Sequence, residues 1–592
     1  MRRAAGTITL ALCLAGVRPA DAAAVQDTTA TGDTLTSTAD TLRHFRRPVL
    51  VMTEAEAPLG PLPPGSRYRF TRESIIWTSS LTLSDLLTEI PGVYVARAGF
   101  FGQPEYVMYA GRGAQSIEIF WDGLPLHPVG PDSVYLDPAR FNLSYLRQVE
   151  VEVLPAKLRV YLVSERHESP DPRSVLRVTS GSFNTAQYAG LFQRRWASGV
   201  ALNLAGDYTA SDGGPNAGRN DQYLDLWAKL EWLLPDAPVG VAYQIRRQGQ
   251  ERDPRVAEGG LGVPARSGTR TEYLLKIFTG NRTDGLGWRG EAGVGSTKWG
   301  SDSLPLSQSV RQAYTRVRFA RPSFSLEAVG RVADTRVRSA LETKVGWVPL
   351  SGVVLAGEAR WQRFTADRTA RSFMGSAGLY RGPLSLTGQF TTGELLHAPA
   401  ILTDSIQEVD DASVRVGLTT TVLSGSVGLA RRDAFLPGPI PDLPDYPAMD
   451  SSVAATYIIA DVQFRPIFPL FFTARYSHPR TKSADLQPPK HGRGEITFRS
   501  KFWRTFRSGV FDFMVRYSFE FWSAGTAGLN AAGIAVELPG ATFQEWFVQV
   551  QLVGFKVFWN LRNARQSTAQ YIPGLTYPRN AQTFGVKWEF TN

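Results

Sequence analysis

A long series of short segments in which apolar and polar residues alternate constrains this fold most. The series runs from Leu158 to Phe590 and contains about 22 segments, each near the ~10 residues that cross a bilayer as a tilted strand. Alternation with a period of two places one set of side chains on each face of a strand. The segments therefore predict a large antiparallel β-protein.

The links between these segments alternate in length, which indicates a barrel. Ala197-Ser198, Arg321-Pro322 and Val553-Gly554 are tight turns, and longer links such as Gly249–Thr269 and Asp433–Val453 fall between turns of this kind. Short turns on one side and long loops on the other are typical of outer-membrane barrels, whose closed sheet satisfies every backbone group in lipid. We expect the short turns on the periplasmic side.

Aromatic residues near many strand ends predict the interfacial girdles of such a barrel. The alternative is that they form the core of a large soluble β-protein. The candidates are Trp288, Trp347, Trp361, Tyr380, Phe468, Trp503, Trp522, Trp546, Trp559 and Trp588.

Composition agrees with export and with strands. Hydrophobic residues make up 43% of the chain, and no stretch after the N-terminus reaches the length of a transmembrane helix. The only cysteine, Cys13, lies in the apolar run Ile8–Val17, and Ala20-Asp21-Ala22 follows as a cleavage pattern, so residues 1–22 are predicted to be a signal peptide. The mature chain would have no thiol or disulfide chemistry. The net charge of +10 is scattered over strand ends and loops, which argues against nucleic acid and fits a solvated face or lipid phosphates.

A tail at residues 23–65 follows, and its first part, Val25–Leu42, has too few apolar residues to pack. Within the tail, the β-prone run Val49-Leu50-Val51-Met52-Thr53 has no core to join. Such a run can add as a strand to an exposed sheet edge of another protein. The alternative is that it is the first strand of the next domain.

The stretch Asp85–Leu126 predicts a small α+β domain. Leu86-Leu87 and Ile90 form a short apolar helical face, which Pro91-Gly92 ends. The turn signal Asp122-Gly123 closes the last of its strands. The predicted strands of this domain include Val93–Val95, Val107–Tyr109, Ile117–Trp121 and a half-buried one at Val149–Val153.

This stretch resembles the plug domain of TonB-dependent outer-membrane receptors. That family's plug carries an L-P-G-V-x-V pattern, then R-G, then a strand and D-G-x-P-L. The matching residues here are Pro91, Gly92, Arg112, Gly113, Asp122 and Gly123, with Pro125-Leu126. The alternative is an ordinary small α+β domain with glycine turns.

The resemblance implies a membrane all-β protein of the bacterial outer membrane. A small N-terminal α+β plug at residues 66–157 would sit inside an antiparallel transmembrane barrel of about 22 strands at residues 158–592. The final strand, Thr583–Phe590, also resembles the closing strand of the family.

The resemblance further implies the site residues. Val49, Leu50, Val51, Met52 and Thr53 would be the TonB box. Two apical plug loops, Ala98–Glu105 and His127–Tyr135, would face the outer vestibule, and Arg112 would pair with inward barrel carboxylates. The substrate-binding candidates on these loops are Phe100, Phe101, Gln103, His127 and Asp132. The alternative for Phe100-Phe101 is packing against the barrel wall.

No motif for catalysis, metal binding or a cofactor is present. The chain has no nucleophile elbow, Walker loop, zinc spacing or HExxH, so we expect neither an enzyme nor a cofactor. Asp410-Asp411 are expected to be solvated loop acids, and His397, His478 and His491 to be exposed loop residues.

The function implied is a receptor that binds and actively imports a scarce nutrient that is siderophore-, cobalamin-, glycan- or peptide-like. Its partners would be the periplasmic domain of TonB, outer-membrane lipid and lipopolysaccharide, and the barrel-assembly machinery, and it would be a monomer. The alternative is a passive channel or surface-binding protein that keeps a plug-like domain. The passage from Pro155-Ala156-Lys157 directly into Leu158–Val163, where the family has a longer junction, favours that alternative. A secreted β-rich enzyme is a third, weaker possibility.

Overall fold

The computed structural model describes residues 62–591, apart from 114–115, 131–134, 214–219, 235–236, 257–261, 280–285, 302–306, 366, 397–405, 436–452, 481–487, 503–504, 507–509, 530–533 and 566–567. The predicted signal peptide and TonB box, together with Asp132, His397 and Trp503, lie outside these ranges. Among the described helices, none has both the length and the apolar character needed to span a membrane.

The first part of the described chain is a small α+β domain, here called the plug. Two short helices, α1 and α2, each begin at a threonine whose hydroxyl accepts a hydrogen bond from the first turn. The elements are β1 Arg67–Thr71, α1 Arg72–Ile76, α2 Leu83–Leu87, β2 Val93–Arg97, β3 Glu105–Tyr109, β4 Ile117–Trp121, β5 Leu124–Pro125, β6 Leu146–Val153 and β7 Leu158–Ser164.

The plug sheet has the strand order β1-β6-β7-β4-β5, and β2 and β3 form a separate hairpin. The predicted turn at Asp122-Gly123 is present: both residues have positive φ (42° and 91°), as a two-residue hairpin turn requires. The prediction of a half-buried strand at Val149–Val153 is wrong, because its polar side is also covered. Glu150 on that side is fully buried and accepts a hydrogen bond from Arg69 (Nε–Oε1, 2.8 Å).

The rest of the described chain is almost entirely antiparallel strands. They are β8 Arg173–Gly181, β9 Thr185–Arg195, β10 Val200–Ser211, β11 Asp221–Leu233, β12 Val239–Arg252, β13 Arg255–Val256, β14 Gly262–Val263, β15 Arg266–Thr279, β16 Gly287–Gly300, β17 Ser307–Arg321, β18 Phe324–Ala333, β19 Val337–Leu350, β20 Val353–Phe364, β21 Thr369–Arg381, β22 Leu384–Leu396, β23 Ile406–Thr419, β24 Leu423–Arg432, β25 Ala455–Phe464, β26 Leu470–Pro479, β27 His491–Ser500, β28 Phe511–Trp522, β29 Gly525–Leu529, β30 Ala535–Leu538, β31 Ala541–Leu552, β32 Phe555–Arg562, β33 Gln570–Ile572, β34 Leu575–Thr576 and β35 Ala581–Thr591.

Among these described strands, 22 close into a barrel in which the last strand, β35, pairs with the first, β8. The pairs β13–β14, β29–β30 and β33–β34 are separate hairpins in the loops. The predicted number is therefore right, but two errors cancel in it. Leu158–His167 is not a barrel strand, since β7 pairs in parallel with β4 of the plug, and the predicted segment Ser174–Trp196 is two strands, β8 and β9.

The strand that follows Lys157, β7, belongs to the plug sheet and not to the barrel. Residues 165–172 connect β7 to the first barrel strand, so the direct junction that favoured a passive channel does not exist. The sequence pattern of β7 does not distinguish a plug strand from a barrel strand, because apolar and polar residues alternate with a period of two in both.

The outward face of the barrel is apolar and exposed, as lipid contact requires. Leu176, Val178, Val586 and Trp588 alternate with inward polar residues along the two strands of the seam. Six predicted girdle residues are among the exposed large side chains: Trp288, Trp347, Tyr380, Phe468, Trp546 and Trp588. Trp522 is an exception, because it points inward and is 2% exposed.

Candidate functional site

The plug is fastened to the barrel wall by buried ion pairs. Arg159 on β7 donates to Glu358 on β20 (Nη2–Oε1, 2.6 Å). Lys344 on β19 lies near the carboxylate of Glu358 as well, and its Nζ is 3.8 Å from Oε2 of Glu152 on β6. Paired charges of this kind satisfy one another where the side chains are buried. The plug strands thus carry their charged side chains towards the wall, which explains why the plug sheet is polar on a buried face.

Arg112 has the barrel partner that the resemblance implied. Its guanidinium donates two hydrogen bonds to Asp411 on β23 (Nη1–Oδ2, 2.9 Å; Nη2–Oδ1, 3.1 Å), and it lies over the ring of Phe435. The prediction that Asp411 is a solvated loop acid is wrong. The strand continues through residues 406–419, and its alternation turns Asp411 into the lumen while Asp410 stays exposed.

A second fastening point joins α2 to strand β32. Asp85 accepts hydrogen bonds from Arg97 of the plug (Oδ1–Nη2, 2.8 Å) and forms an ion pair with Arg562 of the barrel (Oδ1–Nη2, 2.9 Å). Burial raises the pKa of the Asp85 carboxyl, but the charges of Arg562 and Arg97 together outweigh it and hold that pKa below its usual range. Asp85 is therefore an anion at neutral pH, shared between plug and wall.

The turn residue Asp122 has a role beyond its turn. It accepts hydrogen bonds from the backbone N–H of Ser164 (2.9 Å) and from Nε2 of Gln244 on β12 (3.0 Å). Burial raises the pKa of Asp122, whereas Lys229 and Lys276 of the barrel lower it by more. The motif residue thus connects the tip of one plug strand, the end of another and the barrel wall.

The first apical loop lies against the wall more closely than predicted. Phe100 is 4% exposed and packs edge-on against Phe183 and Tyr577, so the packing alternative describes its position. Phe101 is half-buried, and the amide of Gln103 donates to the buried carboxylate of Asp221 on β11. Phe101 and Gln103 line a cavity of about 70 Å³ between this loop and the barrel.

The second apical loop borders a larger cavity of about 250 Å³, here called the outer cavity. His127 lines it together with Phe120 of the plug and Arg331 and Gln312 of the barrel. Burial lowers the pKa of the His127 imidazole to about 4, with a smaller opposite effect from a hydrogen bond to Gln312. The imidazole is therefore neutral at pH 7 and can both donate and accept hydrogen bonds. Among the described loop residues, Phe101 and Gln103 border one cavity and His127 borders the other, so these candidates form two groups.

Sequence reasoning missed an aromatic cluster that closes the outer side of the plug. The hairpin β33–β34 brings Tyr571 and Tyr577 inward, where both are 1% exposed. Tyr571 contacts Trp522 and Tyr94 with centroid separations of 4.5 and 6.2 Å. A signal exists in the pattern Y-I-P-G-L-T-Y, since Pro573-Gly574 between short β-prone runs predicts a hairpin within the loop.

Two of the histidines predicted to lie in outer loops, His478 and His491, are on strands. His491 begins β27, is buried, and its Nε2 is 2.9 Å from Oε1 of Glu520. His478 lies near the end of β26. No group of three or more His, Cys, Asp and Glu side chains able to hold a metal occurs within the described part of the chain. The strands extend further outward than the turn residues suggested.

The architecture is shared with known receptors. A family model described as the TonB-dependent Receptor Plug Domain matches residues 63–158. The ferric enterobactin receptor PfeA of Pseudomonas aeruginosa, solved as a mutant with enterobactin, superposes with a TM-score of 0.68 at 10% identity, covering 89% of this chain and 99% of that chain. The siderophore receptor PirA from Acinetobacter baumannii gives 0.67 at 10% identity, covering 90% and 100%. The FrpB iron transporter from Neisseria meningitidis gives 0.65 at 9% identity, covering 89% and 99%. At these identities the superpositions show a common fold.

Proposed function

We propose that the chain is a TonB-dependent outer-membrane receptor that binds a scarce nutrient at the outer face of its plug and imports it actively. The nutrient is siderophore-, cobalamin-, glycan- or peptide-like. Its anchoring residues are His127 and Asp132 of the second apical loop and Phe101 and Gln103 of the first.

The observation that carries this proposal is the fastening of the plug around the lumen. Ion pairs and hydrogen bonds join it to separate sectors of the wall, so a plug held at many points lies between a ligand at its outer face and the periplasm. Barrel residues on these contacts include Asp207, Asp225, Gln244, Arg316, Glu358, Asp411, Arg475 and Arg562. Passage requires the plug to shift, and breaking one buried pair costs about 3–5 kcal/mol. The outer membrane has no ATP, so this work has to come from the inner membrane.

The described chain begins on the side where such a force would act. The carbonyl of Pro64 accepts a hydrogen bond from Thr387, and that of Gly65 accepts one from Arg415, both near the short-turn end of the barrel. The first described residues therefore lie at the short-turn end of the barrel. This supports Val49–Thr53 as the segment that the periplasmic domain of TonB binds by strand addition.

The outer cavity favours a ligand that has an apolar body and groups that accept hydrogen bonds. Arg331, Arg360 and Gln312 supply donors, and Phe120 with Leu396 supplies apolar surface. Cavities of this kind fix a ligand by a few polar contacts on a largely apolar lining. A ferric siderophore is the first ligand to test, because the proteins of the same fold named above include siderophore receptors.

The proposal also includes the remaining partners. The barrel would contact lipid and lipopolysaccharide along its exposed apolar face, and it would enter the membrane through the barrel-assembly machinery, which reads the final strand. A closed barrel offers no open sheet edge for pairing with a second copy, so a monomer is expected.

Binding to the periplasmic domain of TonB tests the proposal. We expect micromolar binding of the mature protein, lost on deletion of Val49–Thr53 and retained when residues 35–39 are deleted instead. No binding by a folded, membrane-inserted barrel would contradict energised import and leave the passive channel or surface-binding protein as the function.

A further inference from the structure

A third cavity, of about 90 Å³, lies in the periplasmic half of the lumen beneath helix α1 of the plug. We call it the seam cavity, because strands on both sides of the barrel closure line it. Its wall includes Arg177 on β8, Lys556 on β32, Lys587 on β35 and Gln549 on β31. None of these residues belongs to the outer site described above.

Three cations of the seam cavity stand directly opposite one another. Lys556 pairs in register with Lys587, and Lys587 pairs in register with Arg177. All three point inward, since their neighbours Val557, Val586 and Leu176 are exposed on the outer face. Like charges directly opposite on neighbouring strands destabilise a sheet, so this row needs a compensating anion.

The nearby carboxylates already have other hydrogen-bond or ion-pair partners. Glu589 lies 2.8 Å from Nη2 of Arg173, and Asp512 lies 2.8 Å from Nη2 of Arg499. Glu165 pairs with Arg72 of the plug, and Asp207 accepts from the amide of Gln187. In the described part of the chain, no salt bridge reaches Lys556, Lys587 or Arg177. The row thus has an excess of positive charge that the protein does not neutralise by direct contact.

Donors without acceptors also border this cavity. Gln549 is 4% exposed, and its amide Nε2 has no hydrogen-bond partner among the described residues. The buried Nε of Arg177 likewise has none there. A buried donor left unpaired costs free energy, which a bound acceptor would recover. Two cations also lie near aromatic rings: Arg177 is 5.3 Å from the centroid of Phe558, and Lys556 is 5.0 Å from that of Trp77.

We propose that the seam cavity binds a small multivalent oxyanion of the phosphate class, held by Lys556, Lys587, Arg177 and the amide of Gln549. An oxyanion supplies several acceptors to converging donors and neutralises the row. Because α1 covers the cavity, the bound anion links the plug to the barrel seam. This site lies beyond the receptor function and does not depend on the identity of the imported nutrient.

Isothermal titration of the full-length, detergent-solubilised protein with inorganic phosphate tests the proposal. We expect saturable binding that Lys587→Gln weakens at least tenfold, because the substitution removes a charge and keeps most of the aliphatic stem. Lys490→Gln, the same change at an exposed residue between β26 and β27, serves as the matched control and leaves binding unchanged. Equal binding by wild type and Lys587→Gln overturns the proposal.

A second measurement separates an anion site from a merely structural lysine. Without phosphate, Lys587→Gln should raise the melting temperature by relieving repulsion, and added phosphate should stabilise wild type more than the variant. A lower melting temperature together with an unchanged response to phosphate overturns the proposal. Phenyl phosphate distinguishes the source of the anion: binding as tight as that of inorganic phosphate indicates a phosphate group of a larger molecule, and much weaker binding indicates the free ion.

Discussion

Asp411→Asn should loosen the plug without disturbing the barrel. The substitution keeps the size of the side chain and an acceptor for the backbone N–H of Asp433, which lies 2.9 Å from Oδ1. It leaves the guanidinium of Arg112 buried without its counter-ion, since the two side chains are 4% and 3% exposed. Removing one partner of a buried pair costs about 3–5 kcal/mol.

The cost should appear as plug release at a lower urea concentration. A domain the size of the plug loses about 1–3 kcal/mol of stability per molar urea, so the midpoint of release should fall by about 2 M. The assay is the conductance of single barrels in planar bilayers as urea is raised. Wild type should stay closed at concentrations where Asp411→Asn opens.

Asp410→Asn is the matched control, because its exposed side chain lies next to Asp411 in the chain and makes no contact with the plug in the described structure. The double variant Arg112→Met with Asp411→Asn should have a urea midpoint close to that of wild type, since no charge is then left buried without a partner. Equal urea midpoints for the two single asparagine variants would refute the argument. So would a double variant whose midpoint is lower than that of Asp411→Asn.

Three further predictions concern the plug. His127→Gln should flatten the pH dependence of urea stability between pH 6.5 and 4: the folded state, with its lowered pKa, takes up a proton less readily than the unfolded chain, so wild type loses up to about 3 kcal/mol as pH falls through that window. An unchanged pH profile would contradict this. Phe100→Ala should lower stability by about 3–5 kcal/mol, measured by urea unfolding, while the half-buried Phe101→Ala costs less; equal losses would show that burial does not separate the two rings. Gly123→Ala should weaken the plug by about 1–2 kcal/mol in the same assay, because φ is 91° there, and no loss would mean that the turn relaxes.

The candidate site was only partly predictable. The apical loops could be located from glycine and proline signals, and Gln103 and His127 do border cavities. The burial of Phe100 could not be predicted, because the rings that cover it come from residues 183 and 577, far away in the chain. The seam cavity was also missed, since its cations are unremarkable until the barrel closes and brings β32, β35 and β8 side by side.

The sequence by itself determined the elements of this protein. Period-two alternation defined strands and Asp122-Gly123 formed a hairpin turn, because each depends on backbone geometry within a few residues. Only the tertiary structure decided where the plug ends, since β7 and β8 have the same local pattern and differ in which strand they pair with. It also decided that Asp411, rather than another acid, receives Arg112, because the register of a closed barrel sets which inward side chain faces each plug residue.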